Sequence, residues 1–132
     1  MSVIVTDAGF GRDDFEAGIG PEAQAGTGVD LASDVAPEAL AGPLLQAALI
    51  RIDFPSFADG RGFTLARLLR QRGYRGRLRA RGHVLADQYA MARRAGFDEV
   101  EIDEALAARQ PEEHWRARAD WRAHDYQARL RG

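Results

Sequence analysis

From residue 47 to residue 103 short runs of strand character alternate with longer runs of helical spacing, and this order restricts the fold more than any other feature. "AALIRIDF" (47–54) is a continuous apolar run, with Arg51 and Asp53 late in it and Pro43 and Pro55 as its bounds. Such a run suits a strand buried on both faces. "TLARLLRQRG" then sets Leu65, Leu68 and Leu69 on one side and Arg67, Arg70 and Arg72 largely on the other, as an amphipathic helix does. Thr64 reads as its N-cap and Gly73 as the residue just past its end. "GRLRARG" (76–82) alternates Leu78 and Ala80 with Arg77, Arg79 and Arg81, a strand with one polar face. "VLADQYAMARRAGF" returns to helical spacing and stops at Gly96, and "DEVEID" (98–103) alternates again. The order predicts right-handed βαβ crossovers and an α/β fold with a small, mainly parallel sheet. Three to four strands are too few to close a barrel, so the sheet is expected to be open or half-barrel-like. Its uncovered edge or face leaves room for a homodimer.

The flanks carry weaker signals. "SVIV" (2–5) is β-branched and short, a candidate first strand. The Gly- and Asp-rich stretch after it has no period, so residues 1–30 read as a mobile N-terminal segment ahead of a single α/β domain, 31–132. "SDVAPEALAGP" predicts a short helix from Ser33 or Asp34 to Ala41, stopped by Gly42-Pro43. Pro111, followed by two Glu, opens a C-terminal helix predicted over 111–130. Trp115, Trp121 and Tyr126 do not share one narrow stripe there, which divides them between core and surface.

The chain has no Cys, which removes disulfides, a thiol nucleophile and any thiolate-held zinc or iron–sulfur cluster from its own resources. His83, His114 and His124 show no ligand spacing, and no flavin or nicotinamide fingerprint is present, so neither metal nor cofactor is expected. No apolar run approaches the ~20 residues of a membrane span. The first residues carry acids where a signal peptide carries positive charge, so a cytoplasmic location is expected. Residues 1–50 hold eight acids and one Arg, whereas residues 51–132 hold twelve acids and seventeen Arg, with no Lys anywhere. A basic body behind an acidic leading segment suits an anionic ligand or an acidic protein partner. Nucleic acid is not expected, because the Arg residues alternate with acids after residue 98.

"FADGRGFT" (57–64) joins the first central strand to the first helix, at the edge where parallel α/β sheets bind ligands. A helix start offers unpaired N–H groups. Gly60 and Gly62 could add more through positive-φ backbone, and Arg61 supplies a forked donor for an oxyanion. The next strand ends at Arg79–Gly82–His83, near the same edge. A small-anion or partner site is therefore expected from Asp59, Gly60, Arg61, Gly62, Thr64, Arg67, Arg79 and Gly82, with Asp87 and Gln88 at the next helix start. Asp59 or His83 are the candidates for acid/base chemistry, with Arg61 and Arg79 holding an anionic substrate. The structural alternative is a turn shaped by the glycines, in which Arg61 pairs with Asp59 or Asp53. Asp87 and Gln88 suit helix-start charge and capping better than catalysis.

"FPSFADGRGFTLARLLRQRGYRGRLRARGHVLADQYAMARRAGFDEVEI" (54–102) resembles a bacterial family catalogued as domain of unknown function 934, whose members share FP.F.DGRG, LARLLR, GY.G, LRA.G, a DQ pair and GFD. The resemblance spans about residues 30–105, with an echo in Tyr126-Gln127. It implies an accessory protein of assimilatory sulfite reduction, with sulfite reductase or another sulfur-assimilation protein as partner; the family's label of probable oxidoreductase leaves open whether the chain catalyses a reaction. Three positions depart from the family pattern: Arg77 stands where Glu is usual, His83 where Asp is usual, and Ala95 where Cys is common. Loss of that Cys without loss of the rest fits a packing role for the position.

Overall fold

The structure, a computed structural model, describes residues 2–122. In chain order it runs β1 (Ser2–Thr6), β2 (Gly9–Gly11), β3 (Ile19–Gly20), β4 (Gly28–Leu31), β5 (Leu49–Phe54), α1 (Arg61–Gln71), β6 (Arg77–Gly82), α2 (Tyr89–Ala95), β7 (Glu99–Asp103), α3 (Glu104–Arg109) and α4 (Glu112–Arg116). Short 3-10 turns occupy Pro37–Ala39, Gly42–Gln46 and Ala86–Gln88. The strands form one mixed sheet in the order β2-β1-β7-β6-β5-β4-β3. Neighbours from β3 to β7 are parallel, while β1 runs antiparallel to both β7 and β2. The fold is α/β and its sheet mainly parallel and open, but it has seven strands where the alternation predicted three to four.

The additional strands come from the stretch whose lack of period suggested a mobile segment. β2, β3 and β4 hold three, two and four residues, too few to display an alternation. They are held by register rather than by local propensity: Val29 lies opposite Ile50 and Leu31 opposite Ile52 in β5. The helix predicted from Ser33 or Asp34 to Ala41 gives way to two 3-10 turns, because Gly42 adopts φ 63° and starts the second turn instead of only ending the first. The helix predicted over 111–130 is shorter as well: α4 ends at Arg116, and Tyr126-Gln127 lie outside the described residues.

The two faces of the sheet differ in chemistry. Ile50, Ile52 and Phe54 of β5, Leu78 and Ala80 of β6, and Val100 and Ile102 of β7 share one core with Phe63, Leu65 and Leu69 of α1, Tyr89 of α2, Leu106 of α3 and Trp115 of α4. All four helices therefore cover the same face. Large side chains buried this completely contribute about 1.5–3 kcal/mol each.

Alternation then sends Arg51, Arg77, Arg79 and Arg81, with Glu99 and Glu101, to the opposite face. The arginine strand does present one polar face, and that face is buried at its centre: Arg79 is 0% exposed, with Glu99 and Glu101 at 5% and 6%. Part of the cover comes from the N-terminal segment. β2 and β3 are opposite edges of the sheet, so residues 12–18 between them must cross from one edge to the other. Asp13 makes two bonds of 3.0 Å to the Arg79 guanidinium, and Asp14 pairs with Arg77. Phe15 approaches Gly28 on β4. Six strand spacings amount to about 29 Å, close to the full extended reach of the connecting residues, so this strap has little slack.

Candidate functional site

The Asp59–Gly62 segment follows the carboxyl end of β5 and runs into the first turn of α1, at the edge the sequence predicts, but its groups are turned toward one another. Arg61 forks onto Asp59, with Nε 3.0 Å from Oδ1 and a terminal nitrogen 2.8 Å from Oδ2. The same nitrogen donates to Ser33 Oγ at 3.1 Å, and Ser33 Oγ donates to Asp59 Oδ2 at 2.9 Å. The Arg61 backbone N–H also donates to Asp59 Oδ1 at 3.0 Å. The Arg61 donors, joined by Ser33, hold the Asp59 carboxyl far below the usual carboxylate range. Of the structural alternatives, the pairing of Arg61 with Asp59 is the one that forms.

Neither glycine supplies positive φ, and only Gly62 is required by packing. Gly60 has φ −93°, and neither it nor Gly62 is in the left-handed region. A Cβ on Gly62 would stand 2.5 Å from the ring of Phe54, so this position is confined to glycine by the core below it. Gly60, not Thr64, caps α1; the Asp59 turn starts the helix four residues early and leaves Thr64 and Arg67 exposed within it. Gly82 does need its freedom, with φ 112° and the Phe54 carbonyl oxygen 2.8 Å from where a Cβ would be.

Arg79 does not meet Arg61. It lies beneath the strap, where burial opposes its charge, but Asp13, Glu99 and Glu101 outweigh that and keep it ionised. Gln88 is a structural cap: its Oε1 accepts from the Leu85 N–H at 2.8 Å while its Nε2 donates to the Phe57 carbonyl at 3.2 Å. Asp87 forms an exposed pair with Arg118 at 2.8 Å. His83 donates its backbone N–H to the Phe54 carbonyl at 2.9 Å, and its ring meets Phe57 edge-on at 5.0 Å between centroids.

His83 and Gly82 line a cavity of about 360 Å³ at the carboxyl ends of β5, β6 and β7, roofed by α3 and by the loop after β5. Asp53, Phe57, Arg81, Glu101, Asp103 and Arg109 complete most of its wall. Arg61 and Thr64 border a separate groove with Ser33 and Leu68. The expected site thus divides in two, and Asp53, Arg81, Asp103 and Arg109 were not expected in it. A usable signal existed for three of them: Asp53, Arg81 and Asp103 are the last or next-to-last residues of their strands, the positions that reach the ligand edge of a parallel sheet.

No helix among the described residues is long and apolar enough to cross a membrane. Nothing among the curated proteins or the solved structures matches the chain. A family model described as bacterial protein of unknown function (DUF934) matches residues 28–132, which take in every element from β4 to α4, and the chain belongs to that family.

Proposed function

We propose that the chain is an accessory protein of assimilatory sulfite reduction, recognising a protein of that pathway through the loop between β5 and α1. The pathway comes from what the family resemblance implies; the surface comes from Phe57. This ring is 38% exposed, one of two large apolar side chains left so open among the described residues. It is nevertheless fixed. Its carbonyl is held by Gln88, its ring rests on His83, and the end of its loop is closed by the Ser33–Asp59–Arg61 clamp. An exposed aromatic on a preorganised loop loses little entropy on binding, which is the usual character of an interface anchor.

Two measurements test this. Deletion of the gene should give poor growth on sulfate that cysteine relieves, and normal growth on sulfate would remove the pathway. Purified sulfite reductase should bind the wild-type protein and bind Phe57→Ala at least tenfold more weakly, the loss expected when an anchor worth about 2 kcal/mol is truncated. The alternative, a small-anion-dependent enzyme with Asp59 or His83 as acid/base, rests on His83. Asp59 is held as a carboxylate by four donors and suits proton transfer poorly.

A further inference from the structure

The charged groups around the 360 Å³ cavity fall into those already engaged and those that are not. Glu101 is engaged: it accepts from Arg79 at 2.8 Å, from Arg51 at 3.1 Å and from Ser2 Oγ at 3.1 Å. Asp103 is engaged too, accepting the Leu106 N–H at 2.8 Å as the N-cap of α3. Arg81 is held more loosely: its ion pairs to Glu101 and Asp53 span 3.5 and 3.9 Å, longer than hydrogen bonds, and its side chain is 50% exposed, so it can turn to a bound anion. Arg109, exposed in the last turn of α3, has no ion pair among the described residues. Against these two cations stands one loosely held carboxylate, Asp53.

His83 completes the set. Its Nδ1 is 3.2 Å from the Phe54 carbonyl oxygen, which can only accept. In the neutral ring that contact places the proton on Nδ1 and leaves Nε2 as an open acceptor. The cavity thus offers two forked cationic donors and one acceptor that wants an O–H.

We propose that this cavity binds a small oxyanion that carries a proton, such as hydrogen phosphate or bisulfite, with Arg81 and Arg109 on its charged oxygens and His83 Nε2 accepting from its hydroxyl. The site stands apart from the Phe57 partner surface in its test, because it needs no partner and no pathway. Sodium phosphate, sulfite and sulfate, each matched in ionic strength with sodium chloride, are titrated into isotope-labelled protein near neutral pH, and the His83 ring and arginine Nε signals are followed. Phosphate and sulfite should produce saturable shifts. Sulfate, similar in shape but without the proton, should bind at least tenfold more weakly. Arg109→Ala, at an exposed position where only a small fall in melting temperature is expected, should weaken phosphate about tenfold to a hundredfold, as loss of a charge-assisted hydrogen bond does. Arg75→Ala removes the same charge from an exposed site away from the cavity wall and should change nothing. Shifts that chloride reproduces, sulfate binding as tightly as phosphate, or equal weakening by Arg75→Ala would overturn the proposal.

Discussion

Gly62→Ala distinguishes a glycine kept for flexibility from one kept for space. On helix propensity alone the substitution should help, since alanine is favoured over glycine by up to about 1 kcal/mol within a helix. Space opposes it. The new Cβ would be 2.5, 2.7 and 3.0 Å from three carbons of the Phe54 ring, where carbon atoms pack at ~3.5–4.0 Å. The ring has nowhere to go: Phe54 is 2% exposed, with ring centroids of Phe63 and Phe97 at 5.0 and 5.8 Å. Forcing one extra methyl into such a core costs about 1–3 kcal/mol, so the net loss should be about 1–2 kcal/mol. For a domain of this size that is a fall in Tm of roughly 4–8 °C, read by circular dichroism melts with a urea titration as the second probe. Phe54→Leu, itself destabilising, should absorb part of the loss, and the double-mutant cycle should show a favourable coupling of about 1 kcal/mol. Gly62→Ala melting at or above the wild type would refute the packing argument and return the glycine to a role in backbone approach.

Arg79→Met takes the shared partner from Glu99 and Glu101, side by side on one face of β7 beneath the strap, and should cost about 3–5 kcal/mol in urea unfolding; a loss under 1 kcal/mol would mean the network is dispensable. Tyr74 tests the alkaline side. Burial pushes its hydroxyl up to about 12, and the hydroxyl donates to the Ala47 and Arg77 carbonyls at 3.1 and 3.0 Å. A folded-state pKa above the unfolded value adds stability that is complete below pH ~10 and lost as pH rises toward 12; Tyr74→Phe should flatten that decline while lowering stability at neutral pH, and an unchanged alkaline slope would contradict it. Asp13 tests the acid side: its bond to Arg79 lowers its pKa, so its hold on the strap is complete above the ordinary carboxylate pKa of about 4 and lost as pH falls below it. Pepsin should then cut within residues 12–18 increasingly as the pH drops, and Asp13→Asn should be cut readily across the whole acid range. Equal cutting of the two proteins at the upper end of that range would show that Asp13 does not secure the strap.

The central βαβαβ run was legible because its apolar residues repeat at the spacing each element requires, and Gly73 and Gly96, at φ 95° and 121°, end their helices as the sequence signalled. What escaped was non-local. β4 exists because β5 is beside it and β3 because β4 is, and two- to four-residue strands rich in glycine leave no period to read. α3 passed unseen between the predicted strand and helix, although Asp103 as N-cap, Glu104 in the first turn and Arg109 in the last are ordinary helix signals. The Asp59–Arg61 clamp was legible as an alternative, but not the third partner, Ser33, which is 26 residues from Asp59. The burial of Arg79 could have been inferred from complementarity. Arg-x-Arg-x-Arg in β6 faces Glu-x-Glu in β7, and opposite charges on adjacent strands satisfy each other without water.

The antiparallel pairing of β1 with β7 also governs when the molecule can be finished. Ser2 and Glu101 are bonded across a separation of 99 residues, and Ser2 lies opposite Asp103 in the ladder. During synthesis β1 and β2 leave the ribosome ahead of the other strands and have no sheet to join until β7 follows, on the order of 5–20 s later at ordinary elongation rates. The β-branched "SVIV" stretch spends that interval with only the three-residue β2 to pair with, its other edge open to other chains. The parallel units from β4 to β7 can assemble meanwhile, so β1, made before them, is placed after them. A folding rate limited by that long closure, rather than by the local helices, is the kinetic signature such a topology carries.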